Sequence, residues 1–411
     1  MYRAINLLKL SGAIIACALF AGCGEEGRAP FGNQEASMTL GFEGRTTRGD
    51  LATRNLSSQI AGREAVVSLR PADLTARAHL VDLLLARAQY LGTYSDFDRA
   101  STLAVSLSDH QDASDALLTI QARVDNALHR FSTARTRIQA LDKQTLSSVE
   151  LQSTIDLALN RDVLAIRNQR RATAESYPSY DSLTAWAVAE VTLGHYEMAD
   201  GLFVRALQAY GDASPFPVAW IQFQRGVMWA EAANQPERAG PLYREAVARL
   251  PDYVVANVHL AELEAEMGDL EGAIERLRRI VAKTEDPEPA GLLGELLSTR
   301  DPATAKGFID EARARYDALL ARYPAAFADH GAEFFSGPGG DPQRALVMAL
   351  DNLERRPTSR AYQVAIEVAH AAEESELACQ LARRTQHLTR TVVLDTLVND
   401  VLSDCQTPVG Q

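Results

Sequence analysis

Few residues in this 411-residue sequence are spaced for catalysis or metal binding. The eight histidines are scattered, and none has a second histidine at the spacing of a metal-ligand pair. The sequence also lacks an HExxH helix, a paired CxxC, a GxSxG nucleophile elbow and a glycine-rich phosphate loop after a strand. His195 falls in a predicted turn, and His259 and His370 fall in predicted helices, where each is interpreted as a surface or satisfied core residue. We therefore expect a protein that is not an enzyme, with no cofactor and no metal site.

The densest group of ionisable residues lies in one stretch of predicted helix. Six carboxylates precede three arginines there, namely Glu262, Glu264, Glu266, Asp269, Glu271 and Glu275, then Arg276, Arg278 and Arg279. Opposite charges three or four residues apart pair on a helix surface, so the simplest interpretation is a solvated face. The alternative is an acidic patch that binds a basic partner.

The overall charge argues against a nucleic-acid partner. The chain carries 41 basic and 54 acidic residues and a net charge of −13, which repels phosphates. Hydrophobic residues make up 46% of the sequence, which is enough for a substantial core.

The N-terminus has the features of an export signal. Arg3 and Lys9 precede an uncharged run over residues 10–21, which is shorter than the roughly 20 apolar residues that span a bilayer. The run ends in Leu19-Phe20-Ala21-Gly22-Cys23, which resembles the bacterial lipoprotein box. The resemblance implies that residues 1–22 are a signal peptide and that Cys23 is acylated and anchors the mature chain to a membrane. Since Gly24 follows, the outer membrane, facing the periplasm, is the expected location. The alternative is a secreted protein cleaved near Ala21 or Cys23.

Two cysteines remain after processing, Cys379 and Cys405. They lie 26 residues apart in a chain expected in an oxidising compartment. The sequence therefore predicts a possible disulfide between them, and the alternative is two unpaired buried thiols.

Composition divides the mature chain into three parts. Residues 23–55 contain frequent glycines and no sustained apolar period, and they are predicted to form a flexible tether behind the lipidated cysteine. Residues 56–405 have apolar residues at spacings of three and four and are predicted to be helical. Residues 406–411 are a short tail.

The helical part repeats itself. Alanines recur at 34 residues from Ala239 to Ala273, at 33 through Ala312, Ala345 and Ala378, and at 34 from Ala100 to Ala134. A degenerate unit fills residues 160–178. The period and the accompanying glycines, such as Gly194 and Gly268, resemble the tetratricopeptide repeat. The resemblance implies an all-α, right-handed α-solenoid of about eight or nine helical hairpins with a C-terminal capping helix near residues 389–402. The wider spacings, 40 from Ala199 to Ala239 and 39 from Ala273 to Ala312, predict longer loops.

In this family a concave groove, lined by the first helix of each hairpin, binds segments of partner proteins. The corresponding positions here are Val188, Ile221, Gln224, Met228, Val255, Val258, Glu262, Phe327, His330, Phe334, Gln363 and Glu367. Each of them could instead pack against a neighbouring helix.

The resemblance implies a non-enzymatic, lipid-anchored scaffold that binds an envelope protein or peptide segment. One alternative is an outer-membrane lipoprotein that captures a sugar or peptide ligand. Another is a helical-toroid enzyme such as a polysaccharide lyase. Such an enzyme would have aromatic platforms that bind the substrate, whereas the three tryptophans of this sequence fall within the repeats, which argues against it.

Overall fold

The computed structural model describes residue 42 and residues 44–105 and 114–405. These residues form helices and connecting turns, with no strand among them. The predicted signal peptide, Cys23, most of the predicted tether and the tail at 406–411 lie outside the described residues. The helices described are α1 (Gly49–Leu69), α2 (Leu74–Leu91), α3 (Ser95–Val105), α4 (Asp115–Ala127), α5 (Phe131–Gln139), α6 (Leu146–Ala158), α7 (Val163–Ser176), α8 (Tyr180–Thr192), α9 (Tyr196–Gln208), α10 (Pro215–Val227), α11 (Pro236–Arg249), α12 (Val254–Glu266), α13 (Leu270–Val281), α14 (Glu288–Leu297), α15 (Pro302–Arg322), α16 (Pro324–Ser336), α17 (Pro342–Arg355), α18 (Ser359–Ala371), α19 (Ser375–Arg384) and α20 (Val392–Asp404).

Helices α2 to α19 form nine hairpins stacked in chain order, so the predicted all-α solenoid is confirmed. The alanines that define the repeat lie in the second helix of their hairpins, and each is at most 2% exposed. Their small side chains let the two helices of a hairpin approach closely. In the degenerate unit Ile166 occupies the equivalent position on α7 and is also buried.

The turns inside the hairpins share one backbone feature. Eight of the nine contain a residue with positive φ, as predicted for the glycines, because a left-handed residue ends the first helix and reverses the chain. Only four of the eight turns use glycine at that position. The eight positions are Gly92, His129, Asn160, Gly194, Asn234, Gly268, Gly340 and Glu373.

The two wide repeat spacings arise mainly from extra helix, so the prediction of longer loops was largely wrong. In the first, α10 continues into a π-helical segment, Met228–Ala232. In the second, α15 is 21 residues long and begins well before its repeat alanine, Ala312. Extra residues in a repeat can extend a helix at one of its ends or lengthen a loop. Both change the spacing between repeat alanines in the same way, so the spacing alone does not distinguish them.

The first helix begins earlier than the predicted tether allows. Residues 49–55, assigned to the tether, are the start of α1, whose Ala52, Leu56 and Ile60 face the core at helical spacing. Gly49 is not a turn signal here. A Cβ at this position would lie 2.6 Å from the carbonyl oxygen of Arg249, so glycine permits the close approach of α1 to the end of α11.

The C-terminal helix α20 caps the stack, close to the predicted position. It packs on α18 and α19 and also on the π-helical segment of α10, and Leu394 and Val398 supply its buried face. Cys379 and Cys405 form a disulfide that joins α19 to the end of α20, with Cα atoms 6.1 Å apart.

The solenoid also closes on itself. The turn after α2 contacts the loop before α14: the Tyr94 hydroxyl donates to Asp286 at 2.6 Å, and the Ser95 amide donates to Glu285 at 2.6 Å. Nearby, Asp98 on α3 pairs with Arg322 and Tyr323 at the end of α15. Residues about 190 to 225 positions apart in the chain therefore meet and enclose the inner side of the stack.

Candidate binding cavity

The enclosed inner side contains a cavity of about 810 Å³. Its walls come mainly from first helices of the hairpins, α2, α4, α6, α10, α12 and α16, together with the loop at residues 286–288. The volume lies in the range of roughly 300 to 1,000 Å³ that is typical of ligand sites. It is large enough for one or a few side chains of a partner.

Aromatic rings form much of the cavity wall. Tyr90 lies 5.0 Å from Tyr253, centroid to centroid, and Tyr253 lies 5.3 Å from Phe223. On the other side Tyr94 packs edge-on against Phe327 at 4.8 Å. These packed rings make the wall mostly apolar.

A group of charged and polar side chains lines the cavity around the loop at residues 286–288. His330 on α16 lies 2.5 Å from the carboxylate of Glu288, and Asp286 accepts hydrogen bonds from the Tyr94 hydroxyl and the Glu288 amide. We call Asn126, His129, Asp286, Glu288, Tyr316 and His330 the polar end of the cavity.

The charges at the polar end perturb one another. Burial alone would lower the pKa of His330, but Glu288, Asp329 and Glu333 raise it well above its ordinary value. The pKa of Glu288 is lowered because this imidazolium outweighs the effect of burial. Burial and the neighbouring Glu288 raise the pKa of Asp286 to about 7. Glu288 and His330 therefore form a buried ion pair at neutral pH, and Asp286 is poised to gain or lose a proton.

Three buried polar atoms of the polar end have no hydrogen-bond partner within the described part of the chain. They are Asn126 Oδ1, His129 Nδ1 and the Tyr316 hydroxyl, on side chains 9%, 6% and 1% exposed. Burial and the charge on Arg356 lower the pKa of His129 to about 3, so its ring is neutral, and it also hydrogen-bonds the main chain of Ala325. With Nε2 in that bond, Nδ1 is left as an acceptor.

A second set of buried charges lies beside the cavity, between α10, α12, α16 and α18. We call Glu231, His259, Glu262, Asp329, Glu333, Arg356 and Arg360 the inner charged cluster. Arg360 pairs with Glu333, and His259 lies 3.1 Å from Glu231. Burial raises the pKa of Glu333 to about 8 although Arg360 opposes the shift. The cluster brings together charges from four of the nine hairpins, with none from the hairpin of α14 and α15.

The acidic stretch singled out in the sequence proves to be largely paired. Glu264 contacts Arg276 at 2.6 Å, Glu275 contacts Arg279 at 2.9 Å, and Glu271 pairs with Arg300. The solvated-face interpretation fits Glu271 and Glu275, whereas the pair of Glu264 and Arg276 is largely buried. Glu262, by contrast, faces inward and lies 3.4 Å from His259.

The twelve predicted groove residues divide into three groups. Four line the cavity: Gln224, Val255, Phe327 and His330. Five are packed in the core between helices: Val188, Ile221, Met228, Val258 and Phe334. Glu262 belongs to the inner charged cluster, and Gln363 and Glu367 bond to each other on α18 at 3.0 Å. Contact of any of them with a partner stays a prediction.

Most of the polar end was missed from the sequence. Asp286 and Glu288 lie in a loop outside the repeat pattern, and Asn126 and His129 end a first helix whose unit has a weak signature. The one available signal was His129 itself, which occupies the turn position where other units have glycine or asparagine.

None of the helices described is both long and apolar enough to cross a membrane. Within the same residues, no group of three histidine, cysteine or acidic side chains is arranged to hold a metal ion.

Stacked hairpins around an inner cavity define a helical-repeat protein of the solenoid class. The profile of the tetratricopeptide repeat family matches residues 230–296, which include α11, α12 and α13, so this part of the chain has repeats of that type. A comparison with curated proteins found no relative.

The chain is similar to several solved structures, at low identity and with TM-scores below 0.5. The Cut9–Hcn1 hetero-tetramer of the APC/C has 15% identity and a TM-score of 0.43, over 80% of this chain and 64% of that one. Yeast Tom70 has 13% identity and a TM-score of 0.34, over 87% and 94%. A tetratricopeptide repeat protein from Parabacteroides merdae has 17% identity and a TM-score of 0.36, over 62% and 98%. The chain thus spans less than two thirds of the first of these proteins, and the likenesses concern the fold alone.

Proposed function

We propose that this chain is a non-enzymatic scaffold that binds a segment of a partner protein in its inner cavity. We further propose that it does so in the bacterial cell envelope, held at the outer membrane by lipid on Cys23. Repeats of this type serve as protein-interaction scaffolds, and the observation that carries the proposal is the cavity of about 810 Å³ walled by the first helices.

The contents of the cavity support binding rather than packing alone. Its aromatic wall offers apolar area for a partner side chain. At the polar end, three buried polar atoms have no hydrogen-bond partner among the described residues. Leaving such atoms unpaired costs about 1 to 3 kcal/mol each, and a bound segment would recover this energy.

Photo-crosslinking from within the cavity tests the proposal. A photoreactive phenylalanine analogue at Leu83, which lines the cavity, is expected to crosslink a defined envelope protein in cells. The matched control carries the analogue at Val347, an outer position that is 69% exposed, and should not give that product. Crosslinks from Val347 alone would contradict the proposal. No protein product from Leu83, with a thermal shift on adding oligosaccharides, would favour ligand capture instead.

The anchor has its own test. A Cys23→Ser variant is expected to leave the membrane fraction and appear in the soluble periplasmic extract, because its acylation site is gone. Retention of this variant on washed membranes would contradict lipid anchoring without affecting the cavity proposal.

A further inference from the structure

We propose that the polar end of the cavity binds the cationic group of a lysine or arginine side chain carried by the partner segment. This inference rests on the proposed function and adds the chemistry that selects the segment. Four independent features of the cavity support it.

The first feature is the kind of hydrogen-bonding atom left without a partner. Asn126 Oδ1 and His129 Nδ1 are both acceptors, and both belong to side chains more than nine-tenths buried that line the cavity. Acceptors need a donor, and lysine and arginine side chains carry only donors. A carboxylate or phosphate group offers neither atom a hydrogen bond.

The second feature is the position of carboxylates beside these acceptors. His129 bonds the main chain of Ala325 at the start of α16, and His330, five residues further along that helix, holds Glu288. Asp286 lies two residues before Glu288 in the same loop. Since Glu288 is already paired with His330, Asp286 is the carboxylate available to balance an incoming positive charge.

The third feature is the charge of the whole cavity surface. Five carboxylates line it against two arginines and the protonated His330, and one of the arginines, Arg123, is already bound to Asp82 at 2.9 Å. Arg356, the nearest cation behind His129, is not among the lining residues and faces Asp329 at 3.9 Å. The excess of negative charge favours a cationic guest.

The fourth feature is the aromatic wall. The Tyr94 hydroxyl donates a hydrogen bond to Asp286, so the ring of Tyr94 lies next to the polar end. Phe327 packs against this ring. The faces of aromatic rings attract cations and also cover the methylene stem of a lysine or arginine. An aromatic wall that ends in acceptors and a carboxylate therefore matches both parts of such a side chain.

Calorimetry with defined peptides tests the inference. The probes are a short acetylated alanine peptide with one central lysine and two counterparts with norleucine or glutamate in its place. Because a charge-assisted hydrogen bond forms only with lysine, we expect the lysine peptide to bind at least about tenfold more tightly than the norleucine peptide. The glutamate peptide should bind more weakly than either.

Three cavity variants and one outer variant locate the site. Asp286→Asn, Asn126→Leu and His129→Asn should each reduce the preference for lysine, and asparagine suits the turn because Asn160 and Asn234 hold the same backbone conformation. The control is Glu275→Gln on the outer surface. Like Asp286→Asn it removes one carboxylate, but outside the cavity, so it should leave the preference for lysine unchanged. Thermal unfolding of each variant establishes that it is folded.

The outcomes separate this inference from the proposed function. Equal binding of the lysine and norleucine peptides, the strongest binding by the glutamate peptide, or a preference that all three cavity variants retain would each overturn the cation site. A partner crosslinked from Leu83 would still support the scaffold in those cases. If lysine is preferred and lost in the variants while Leu83 captures no protein, the cation site stands and the scaffold proposal fails.

Discussion

The outer acidic stretch and the inner charged cluster carry similar residues but place them in opposite surroundings. In the outer stretch, Glu275 and Arg279 are 75% and 57% exposed and pair with each other. In the inner cluster, Glu333 and Arg360 are 2% and 16% exposed and face charges from several helices. The outer stretch is conspicuous in the sequence because its charges are closely spaced. The structure indicates that the scattered charges, one or two per repeat, are the ones brought together.

The difference is one of solvation. Water screens exposed charges, so a pair of them changes stability by at most about 1 kcal/mol. Buried charges have lost that water and depend on their partners, so removing one partner costs far more. The two regions should therefore respond very differently to the same kind of substitution.

The largest expected effect is on the inner cluster. At pH 9, above the pKa of about 8 that Glu333 has in the fold, Arg360→Met should lower the free energy of unfolding by about 3 kcal/mol, because it leaves the ionised carboxylate of Glu333 buried without its principal counter-charge. Urea unfolding followed by circular dichroism measures the change. Arg279→Met on the outer surface is the matched control and should cost about 0.5 kcal/mol or less. Similar losses in the two variants would remove the distinction between the regions.

The next effect concerns pH and His129. Folding lowers the pKa of this histidine from 6.5 to about 3, so the unfolded chain binds a proton between these values that the folded chain does not. Above pH 6.5 the histidine is neutral in both states and does not oppose folding. As the pH falls below 6.5, protonation of the unfolded chain lowers the free energy of unfolding. At pH 5 the loss should be about 2 kcal/mol relative to pH 7.

The variant His129→Asn separates the contribution of His129 to the pH dependence of stability from that of the other buried groups, because those groups titrate in both proteins. The wild-type chain should lose more stability than the variant between pH 7 and pH 5, as measured by urea unfolding at each pH. A stability difference between the two proteins that stays constant over this range would show that His129 keeps an ordinary pKa in the fold, contrary to its burial beside Arg356.

A smaller effect is expected where the solenoid closes. Tyr94→Phe removes the hydrogen bond to Asp286 that joins the turn after α2 to the loop before α14, and it should cost about 1 kcal/mol. Hydrogen exchange should also become faster in both segments, since they lose a shared contact. Tyr177→Phe, at a tyrosine that is 77% exposed, is the control. No change in exchange at either segment would mean that the closure does not depend on this bond.

The sequence predicted the repeat far better than the cavity. Repeat alanines and turn glycines act within one hairpin, so their spacing is visible along the chain, and the structure places the alanines between the two helices and the glycines in the turns. The cavity instead depends on how far the stack curves, which is the sum of many small rotations between hairpins. No local sequence pattern predicts the contact between Tyr94 and Asp286, which are 192 residues apart in the chain.

The predicted groove positions divide between the cavity and the core for a related reason. It assumed that the same position on each first helix faces the ligand, yet Val258 and Phe334 are packed in the core while Val255 and Phe327 line the cavity. Val255 and Val258 lie three residues apart on α12, and Phe327 and Phe334 lie seven apart on α16, so neighbouring positions on one face of a helix differ in whether they reach the cavity or the core. Residue type therefore predicted an apolar inner face, but not which members of it remain accessible.

The smallest expected effect tests whether burial, rather than the acidic stretch itself, sets the strength of a charge pair. Glu275–Arg279 and Glu264–Arg276 lie in the same stretch, but the second pair is only 15% exposed on both sides. Double-mutant cycles of unfolding free energy should give a coupling below about 0.5 kcal/mol for the first pair and about 1 kcal/mol for the second. Salt at 1 M, which shortens the screening length to about 3 Å, should abolish the first coupling and leave much of the second. Equal couplings that fall together in salt would mean that the two pairs are equally solvated, and the contrast between the outer and inner charges would then have to rest on the inner cluster alone.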